Sequence, residues 1–222
     1  MSVKVKICGV RTPAILDAAA EAGADYVGFV FFPKSPRHVE LAQARILADR
    51  AKGRLATVAV LVDPDDELVD RVVGLVSPDI LQLHGNELPD RVAAIKARAG
   101  RAVFKAVGVA NAADAAQAAL FAKTADMVLF DAKPSPTGIL PGGNGVSFDW
   151  TRLRGVGLNE PFALSGGLTA GNVAEAIALT GASMVDVSSG VERAPGEKDA
   201  DLVARFVAAA KAALPHNRAK AS

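Results

Sequence analysis

The chain has 222 residues, of which half are hydrophobic, and a formal net charge of +1. A chain of this length and composition can bury a large core within a single domain. Acidic and basic residues are interspersed, so neither a nucleic-acid partner nor a membrane partner is expected. A single cysteine excludes an internal disulfide, which favours the cytoplasm as the compartment. No apolar run reaches bilayer-spanning length, and no signal segment is expected before the first strand.

The first predicted strand, residues 3–9, alternates apolar and basic side chains and ends in the only cysteine, Cys8. Gly9 follows at once, and Thr12-Pro13 is typical of a helix N-cap with proline at the first helical position. A strand that turns directly into a helix brings its last side chain to the edge of a sheet. Two interpretations remain open here: a buried, inert cysteine, or a reactive thiol.

Strand and helix patterns alternate about eight times along the rest of the chain. The predicted strands are residues 3–9, 26–32, 55–62, 79–85, 102–107, 127–131, 161–164 and 184–187. The predicted helices are residues 14–22, 41–52, 67–76, 88–98, 112–122 and 170–179, a short helix near Trp150, and a last amphipathic helix over 202–210. Nearly all-apolar strands such as residues 26–32 are typical of parallel sheets, which are buried on both faces.

A faint internal repeat supports this count of strands. Gly23-Ala24-Asp25, Thr124-Ala125-Asp126 and Gly181-Ala182-Ser183 each precede an apolar strand. With no linker or change of composition, the pattern predicts an α/β chain folded as a single (β/α)₈ TIM barrel over residues 1–214, with a frayed basic tail at 215–222. The main competitor is an open doubly wound sheet, which would need a Gly-x-Gly-x-x-Gly turn after the first strand; residues 8–12 contain none.

Cys8 and Asp131 are the candidate acid–base pair, because barrel active sites lie at the C-terminal ends of the strands. Burial at the end of an apolar strand favours the protonated form of Asp131 and makes it a candidate proton donor. The plainer alternatives are a cap or an ion pair with Lys133. A thiolate at Cys8 is a usable base if Lys6 or a helix N-terminus stabilises it. A ligand between the two would meet an acid on one side and a base on the other.

The turns after the seventh and eighth strands predict a phosphate site. Gly166-Gly167 and Ser189-Gly190, with Ser188, let backbone N–H groups approach an anion without a Cβ in the way. Barrels often bind phosphate at this position, helped by the N-terminus of a short helix. The alternative is two ordinary tight turns.

Three further polar residues lie at predicted strand ends or in the loops that follow them. Arg37 carries a guanidinium fork suited to a carboxylate, or is a solvated loop charge. His84 is a catalytic group, a metal ligand or a hydrogen-bonded wall residue, and Asp186 holds a sugar hydroxyl or anchors a turn. The Pro/Gly-rich loop at 132–145 is long enough for a lid, with a solvated connection as the alternative.

Together these motifs resemble those of the phosphoribosylanthranilate isomerase family of tryptophan biosynthesis, over nearly the whole chain. The segments that carry the resemblance are Lys6-Ile7-Cys8-Gly9, Phe32-Pro33-Lys34-Ser35-Pro36-Arg37, Leu81-Gln82-Leu83-His84-Gly85, Phe130-Asp131, Gly142-Gly143-Asn144-Gly145, Leu164-Ser165-Gly166-Gly167-Leu168, Asp186-Val187-Ser188-Ser189-Gly190-Val191-Glu192 and Pro195-Gly196-Glu197-Lys198-Asp199. Each is weak alone, whereas the combination is specific. One departure is Asn144, at a position where the family commonly has threonine.

The resemblance implies a metal-free, cofactor-free Amadori rearrangement of N-(5′-phosphoribosyl)anthranilate. In the family mechanism the residue matching Asp131 protonates the furanose oxygen, and the residue matching Cys8 removes the C2′ proton. Arg37 would then hold the anthranilate carboxylate, and Asp186 would lie near a ribose hydroxyl. The phosphate would be held by Gly166, Gly167, Ser188, Ser189 and Gly190. The expected partner is a small phosphorylated substrate, and the expected assembly is a monomer or weak homodimer.

Three rival functions are possible on the same barrel. A metal-dependent sugar-phosphate epimerase needs His and carboxylate ligands around one ion, and His84 alone is well placed for that role. A bifunctional sugar isomerase that also serves histidine biosynthesis usually carries two aspartates, rather than a cysteine such as Cys8 at the end of the first strand. A sugar-phosphate sensor with Cys8 as a redox switch would keep the phosphate site but leaves Asp131 without a role.

Overall fold

The computed structural model describes residues 2–133, 149–153 and 160–213. Eight parallel strands form a closed barrel in chain order, so the predicted (β/α)₈ fold is confirmed. The strands are β1 (Lys4–Cys8), β2 (Tyr26–Phe31), β3 (Ala56–Leu61), β4 (Ile80–Leu83), β5 (Ala102–Val109), β6 (Met127–Ala132), β7 (Phe162–Leu164) and β8 (Met184–Val187). The predicted tail at 215–222 and the predicted lid beyond residue 133 lie outside the described residues.

Seven α-helices are found in the described ranges, and they cover the outside of the barrel. They are α1 (Pro13–Glu21), α2 (Leu41–Ala51), α3 (Asp66–Val76), α4 (Pro89–Ala99), α5 (Ala112–Ala116), α6 (Val173–Thr180) and α7 (Ala200–Ala212). The predicted helix at 112–122 is divided, because a 3₁₀ helix at Gln117–Phe121 continues α5. The short helix predicted near Trp150 is a 3₁₀ turn at Trp150–Leu153. None of the described helices combines the length and apolar character needed to cross a membrane.

The strands alternate between two environments, as the period of two in a β-strand requires. Val5 and Ile7 of β1 lie in the large cluster that also contains helix residues, between the barrel and its helices. Lys6 and Cys8 point the other way, into the barrel. A second cluster consists of strand residues alone and fills the barrel interior: Val58, Ile80, Phe104, Ala106, Leu129, Ala163 and Met184. Lys6, Gln82, Asp131 and Asp186 share the strand parity of the inner cluster and lie on the inner face, whereas Lys105 of β5 lies on the outer face with its Nζ over the ring of Phe121.

The internal repeat has a structural cause at the N-terminal end of the barrel. Asp25 Oδ2 accepts a hydrogen bond from the backbone N–H of Val5 at 2.8 Å, and Asp126 Oδ2 accepts one from Val103 at 2.8 Å. In the last copy the Ser183 hydroxyl donates to the carbonyl of Phe162 at 3.0 Å. Each repeat residue thus ties the start of an even-numbered strand to the start of the strand before it.

A two-stranded antiparallel hairpin, absent from the predicted elements, follows β8. It consists of β9 (Glu192–Ala194) and β10 (Glu197–Lys198) and comes directly after a 3₁₀ turn at Ser189–Val191. Gly196 in its turn has φ of +82°, and a Cβ there would lie 2.5 Å from the carbonyl oxygen of Pro36. The hairpin is therefore packed against the loop that carries Arg37, on the side of the barrel where the strands end.

Candidate active site

An open cavity lies at the C-terminal ends of the strands. The predicted site residues that line it are Cys8, Arg37, His84, Asp131, Gly166, Gly167, Asp186, Ser188 and Ser189. Val30, Phe32, Val60 and Val62 form its apolar wall. The structure thus brings every predicted site residue except Gly190 to one cavity.

Cys8 ends β1 and is 8 % exposed. Burial raises the pKa of its thiol above the ordinary value; the nearby charge of Lys6 lowers that pKa but does not cancel the increase. A thiolate base depended on Lys6 or a helix N-terminus lowering this pKa; in the structure burial outweighs the charge of Lys6 and favours the neutral thiol.

Asp131, on β6, is 3 % exposed. Its Oδ2 lies 3.1 Å from Nε2 of His84, and its Oδ1 accepts the N–H of Ala132 at 2.8 Å. Lys133, the alternative partner considered for this carboxyl, is paired with Asp114 at 3.1 Å. Asp131 is therefore held by a histidine at the rim of the cavity and by the adjacent backbone.

His84, directly after β4, joins Gln82 of that strand to Asp131 of β6. Besides the contact with Asp131, its Nδ1 lies 3.3 Å from Nε2 of Gln82. Its backbone N–H donates to the carbonyl of Leu61 on β3 at 2.8 Å. Among the described residues no three His, Cys, Asp or Glu side chains come together as a group able to hold a metal ion. In this structure His84 is a hydrogen-bonded wall residue.

Asp186, on β8, forms a buried ion pair with Lys6 on β1, with Oδ1 2.9 Å from Nζ. The two residues face each other in the register of the parallel strands. The side chain of Lys6 is fully buried and that of Asp186 is 4 % exposed. Asp186 also lines the cavity, so its side chain lies between the ligand space and the buried ammonium of Lys6.

Arg37 is buried and grips a protein carboxylate. Its Nε and Nη2 each donate to Glu192 at 2.8 Å, one to each carboxylate oxygen. Lys198 donates to the same carboxylate at 2.9 Å and to the carbonyl of Ser188 at 3.2 Å. Burial works against ionisation of Glu192, but the hydrogen bonds from Arg37 and the charge of Lys198 lower its pKa to about 2.

The two predicted phosphate turns line the same part of the cavity. Gly166 and Gly167 have φ of +89° and +63°, which glycine adopts without a steric penalty. The Ser188 hydroxyl donates to the carbonyl of Cys8 at 3.1 Å. Gly190 does not line the cavity: a Cβ there would lie 1.8 Å from the carbonyl oxygen of Leu168. Its part is to let one turn pack closely against the other.

Sequence reasoning assigned no role to three residues that hold the site together. Glu192 and Lys198 fix Arg37 and the turn after β8. Both stand in segments that carry the family resemblance, and Pro195-Gly196 between them is a turn signal. Glu87, buried beside Lys105 at 2.9 Å, accepts the N–H of Gly85 at 3.0 Å. This pair fixes the loop that follows His84.

Comparison with known proteins identifies similar chains. The sequence model of "N-(5'phosphoribosyl)anthranilate (PRA) isomerase" matches residues 5–209. The N-(5′-phosphoribosyl)anthranilate isomerase of Rhodopseudomonas palustris (strain BisB5) is 55% identical over 212 residues, which is 96% of this chain and 97% of that protein.

Two solved structures resemble the barrel. The phosphoribosyl anthranilate isomerase of Thermotoga maritima is 36% identical, with a TM-score of 0.83 over 94% of this chain and 98% of that one. A phosphoribosyl anthranilate isomerase in complex with reduced 1-(o-carboxyphenylamino)-1-deoxyribulose 5-phosphate is 34% identical, with a TM-score of 0.80 and the same coverage.

Proposed function

Because the chain belongs to the N-(5′-phosphoribosyl)anthranilate isomerase family, we propose that it isomerises N-(5′-phosphoribosyl)anthranilate in tryptophan biosynthesis. The product is 1-(2-carboxyphenylamino)-1-deoxyribulose 5-phosphate, by an Amadori rearrangement. The observation that carries the proposal at the level of residues is that Cys8, Asp131 and the turns after β7 and β8 line one cavity.

Asp131 is the proposed general acid. It gives its proton to the furanose ring oxygen while the C1′–O bond breaks and the anthranilate nitrogen lone pair forms a C1′=N double bond. The ring opens to a protonated Schiff base. The contact with His84 at 3.1 Å supports this role, because it fixes the carboxyl at the rim of the cavity.

Cys8 is the proposed general base. Its thiolate takes the C2′ proton, the C–H electrons form a C1′=C2′ double bond, and the electrons of C1′=N return to nitrogen. The resulting enolamine tautomerises: C1′ gains a proton and the 2′-hydroxyl loses one, which gives the ketone. Cys8 and Asp131 come from β1 and β6, three strands apart around the closed barrel, and both line the cavity, which supports their action on two sides of one pentose.

Substrate binding is proposed to use the remaining residues of the cavity. The dianionic phosphate lies against Gly166, Gly167, Ser188 and Ser189, with Gly190 shaping the turn. Arg37 meets the anthranilate carboxylate while Glu192 holds its guanidinium. Asp186 accepts a hydrogen bond from a ribose hydroxyl, and His84 orients the carboxyl of Asp131.

The test of the function is a fluorescence assay of the purified protein with phosphoribosylanthranilate, run with and without a chelator. Turnover that persists in chelator supports the metal-free reaction and argues against a metal-dependent epimerase. Absence of turnover with retained binding of the sugar phosphate would instead support the sensor. Turnover of the aldose substrate of histidine biosynthesis would reveal a second activity.

We also propose a cytoplasmic location and a monomeric or weakly dimeric state. The single cysteine supports a reducing compartment. Sedimentation analysis at several concentrations tests the assembly; a stable tetramer would contradict it.

A further inference from the structure

The inner face of β1 places a lysine and the candidate base two residues apart. Lys6 and Cys8 both point into the barrel, with Lys6 one layer below the thiol. Gly28, the register partner of Cys8 on β2, leaves space beside both of them. A Cβ on Gly28 would lie 3.1 Å from Cys8 Sγ and 3.2 Å from Lys6 Cε. Because Gly28 has no side chain, the space next to both the thiol and the lysine side chain stays open.

Lys6 cannot act directly on a ligand. Its side chain is fully buried, and it is not among the residues that line the cavity. It also remains a cation: burial alone would lower its pKa, but Asp186 and Cys8 raise it above the ordinary value. The lysine is thus a positive charge under the floor of the site, held in place by Asp186 at 2.9 Å.

The thiol needs such a charge if it is to work as a base. Three charged groups act on Cys8: Lys6 on the same strand, Asp186 on β8 and Lys198 on β10. Arg37, His84 and Asp131 lie around the same cavity. A bound phosphate dianion and an anthranilate carboxylate would add negative charge near the sulfur and oppose its ionisation.

We propose that Lys6 is a positioning residue whose buried ammonium, held by Asp186, stabilises the thiolate of Cys8 for its role as base. The proposal rests on the function proposed above for Cys8. The thiol releases its proton to solvent, the thiolate is stabilised by Lys6, and the C2′ proton of the substrate then converts it back to a thiol. Lys6 itself gains and loses no proton in this cycle.

The sole cysteine makes the thiolate directly measurable. The experiment is the rate of alkylation by iodoacetamide as a function of pH, followed by mass spectrometry of the intact protein. In Lys6→Met the midpoint of the rate profile is expected to rise by about 1–3 pH units. In Asp186→Asn it is expected to fall, because that carboxylate opposes ionisation of Cys8. A purely structural role of the pair would not produce shifts of opposite sign.

Matched variants keep the test decisive. Lys4→Met removes a lysine from the same strand whose side chain is 55% exposed and paired with Asp25, so its profile should match the wild type. Lys6→Arg keeps the charge and should stay near the wild-type midpoint. If Lys6→Met fails to fold, Lys6→Met/Asp186→Asn removes both charges, and its midpoint is expected above that of the wild type. An unshifted midpoint in a folded Lys6 variant would overturn the proposal.

Steady-state kinetics distinguish a failure of the role proposed for Lys6 from a failure of the role proposed for Cys8. Lys6→Met is expected to lower kcat about 10–100-fold with little change in KM, and raising the pH is expected to restore part of the loss. A Cys8→Ala protein with full kcat would reject the base assignment, yet it would leave the alkylation result on Lys6 intact.

Discussion

Arg37 and Glu192 form a two-pronged ion pair, with Nε and Nη2 of the arginine each 2.8 Å from a carboxylate oxygen. Such planar fork pairs fix both partners in orientation. The edge of the guanidinium that a carboxylate usually occupies is thus bound to the protein. Because Glu192 lies on β9 and Lys198 on β10, this hairpin holds Arg37 at the cavity.

Replacing Glu192 with Gln should destabilise the protein in a pH-dependent way. The native pKa of Glu192 is about 2, against an ordinary 4.5, so its stabilising effect is present above pH 4.5 and is lost as the pH falls through about 2. At pH 7 we expect a loss of about 3–5 kcal/mol, because Arg37 and Lys198 lose a buried counter-charge. Urea unfolding of both proteins at several pH values measures the gap between their free energies of unfolding.

The gap between wild type and Glu192→Gln should shrink below pH 4.5, since glutamine resembles protonated glutamate. Glu197→Gln is the matched control in the same hairpin; its carboxylate is 62% exposed and 3.5 Å from Arg193. We expect that change to cost less than about 1 kcal/mol. A gap that stays constant from pH 7 to pH 3 would contradict the assigned ion pair.

Cys8→Ala and Asp131→Asn should each lower kcat by about 10²–10⁴, the usual contribution of one positioned acid or base. Both changes are small and remove the proton transfer while keeping the cavity. Affinity for the reduced product analogue, measured by calorimetry, is expected to stay within about fivefold of wild type. Retention of full kcat in either variant would remove that residue from the mechanism.

His84→Ala should lower kcat about tenfold and leave KM nearly unchanged, because the variant loses one hydrogen bond to Asp131. Steady-state kinetics provide the measurement. His38→Ala is the control, as His38 contacts Glu40 at 3.3 Å and does not line the cavity. A rise in KM at constant kcat would show that His84 binds substrate and does not orient the acid.

Gly190→Ala should weaken phosphate binding, since the new methyl group would lie 1.8 Å from the carbonyl oxygen of Leu168 and force the two turns apart. We expect KM, and the inhibition constant of inorganic phosphate, to rise about tenfold or more. Gly171→Ala is the control nearby, because its Cβ would meet nothing closer than Thr169 Oγ1 at 3.7 Å. Equal effects of the two substitutions would contradict the assigned packing.

The barrel itself was predictable because its signals are local. Apolar runs mark the strands, and Thr12, Asp65 and Asp199 cap helices with short-range hydrogen bonds to residues three positions later. The errors lie where local signals fail. The helix at 112–122 has an unbroken alanine-rich pattern, yet its second half is a 3₁₀ helix at Gln117–Phe121.

The site was predictable only in part. The rule that active sites lie at strand ends identified Cys8, Asp131 and the two glycine turns, and these line the cavity. Pairings between distant segments were not predictable: Arg37 with Glu192, or His84 with Asp131, depend on how the loops meet above the barrel. The balance at Cys8 was not predictable for the same reason, because the sequence does not show whether burial or the charge of Lys6 has the larger effect on the thiol pKa.

The alternation along β1 limits how the gene can change in length. Deleting one codon within this strand would turn Val5 and Ile7 inward and carry the ammonium and the sulfur out among the helices. Such a deletion would remove both the catalytic side chains from the cavity and the apolar side chains from the core. Insertions and deletions that survive over generations should therefore fall in the connections between elements, and the spacing from Lys6 to Cys8 should stay constant across lineages.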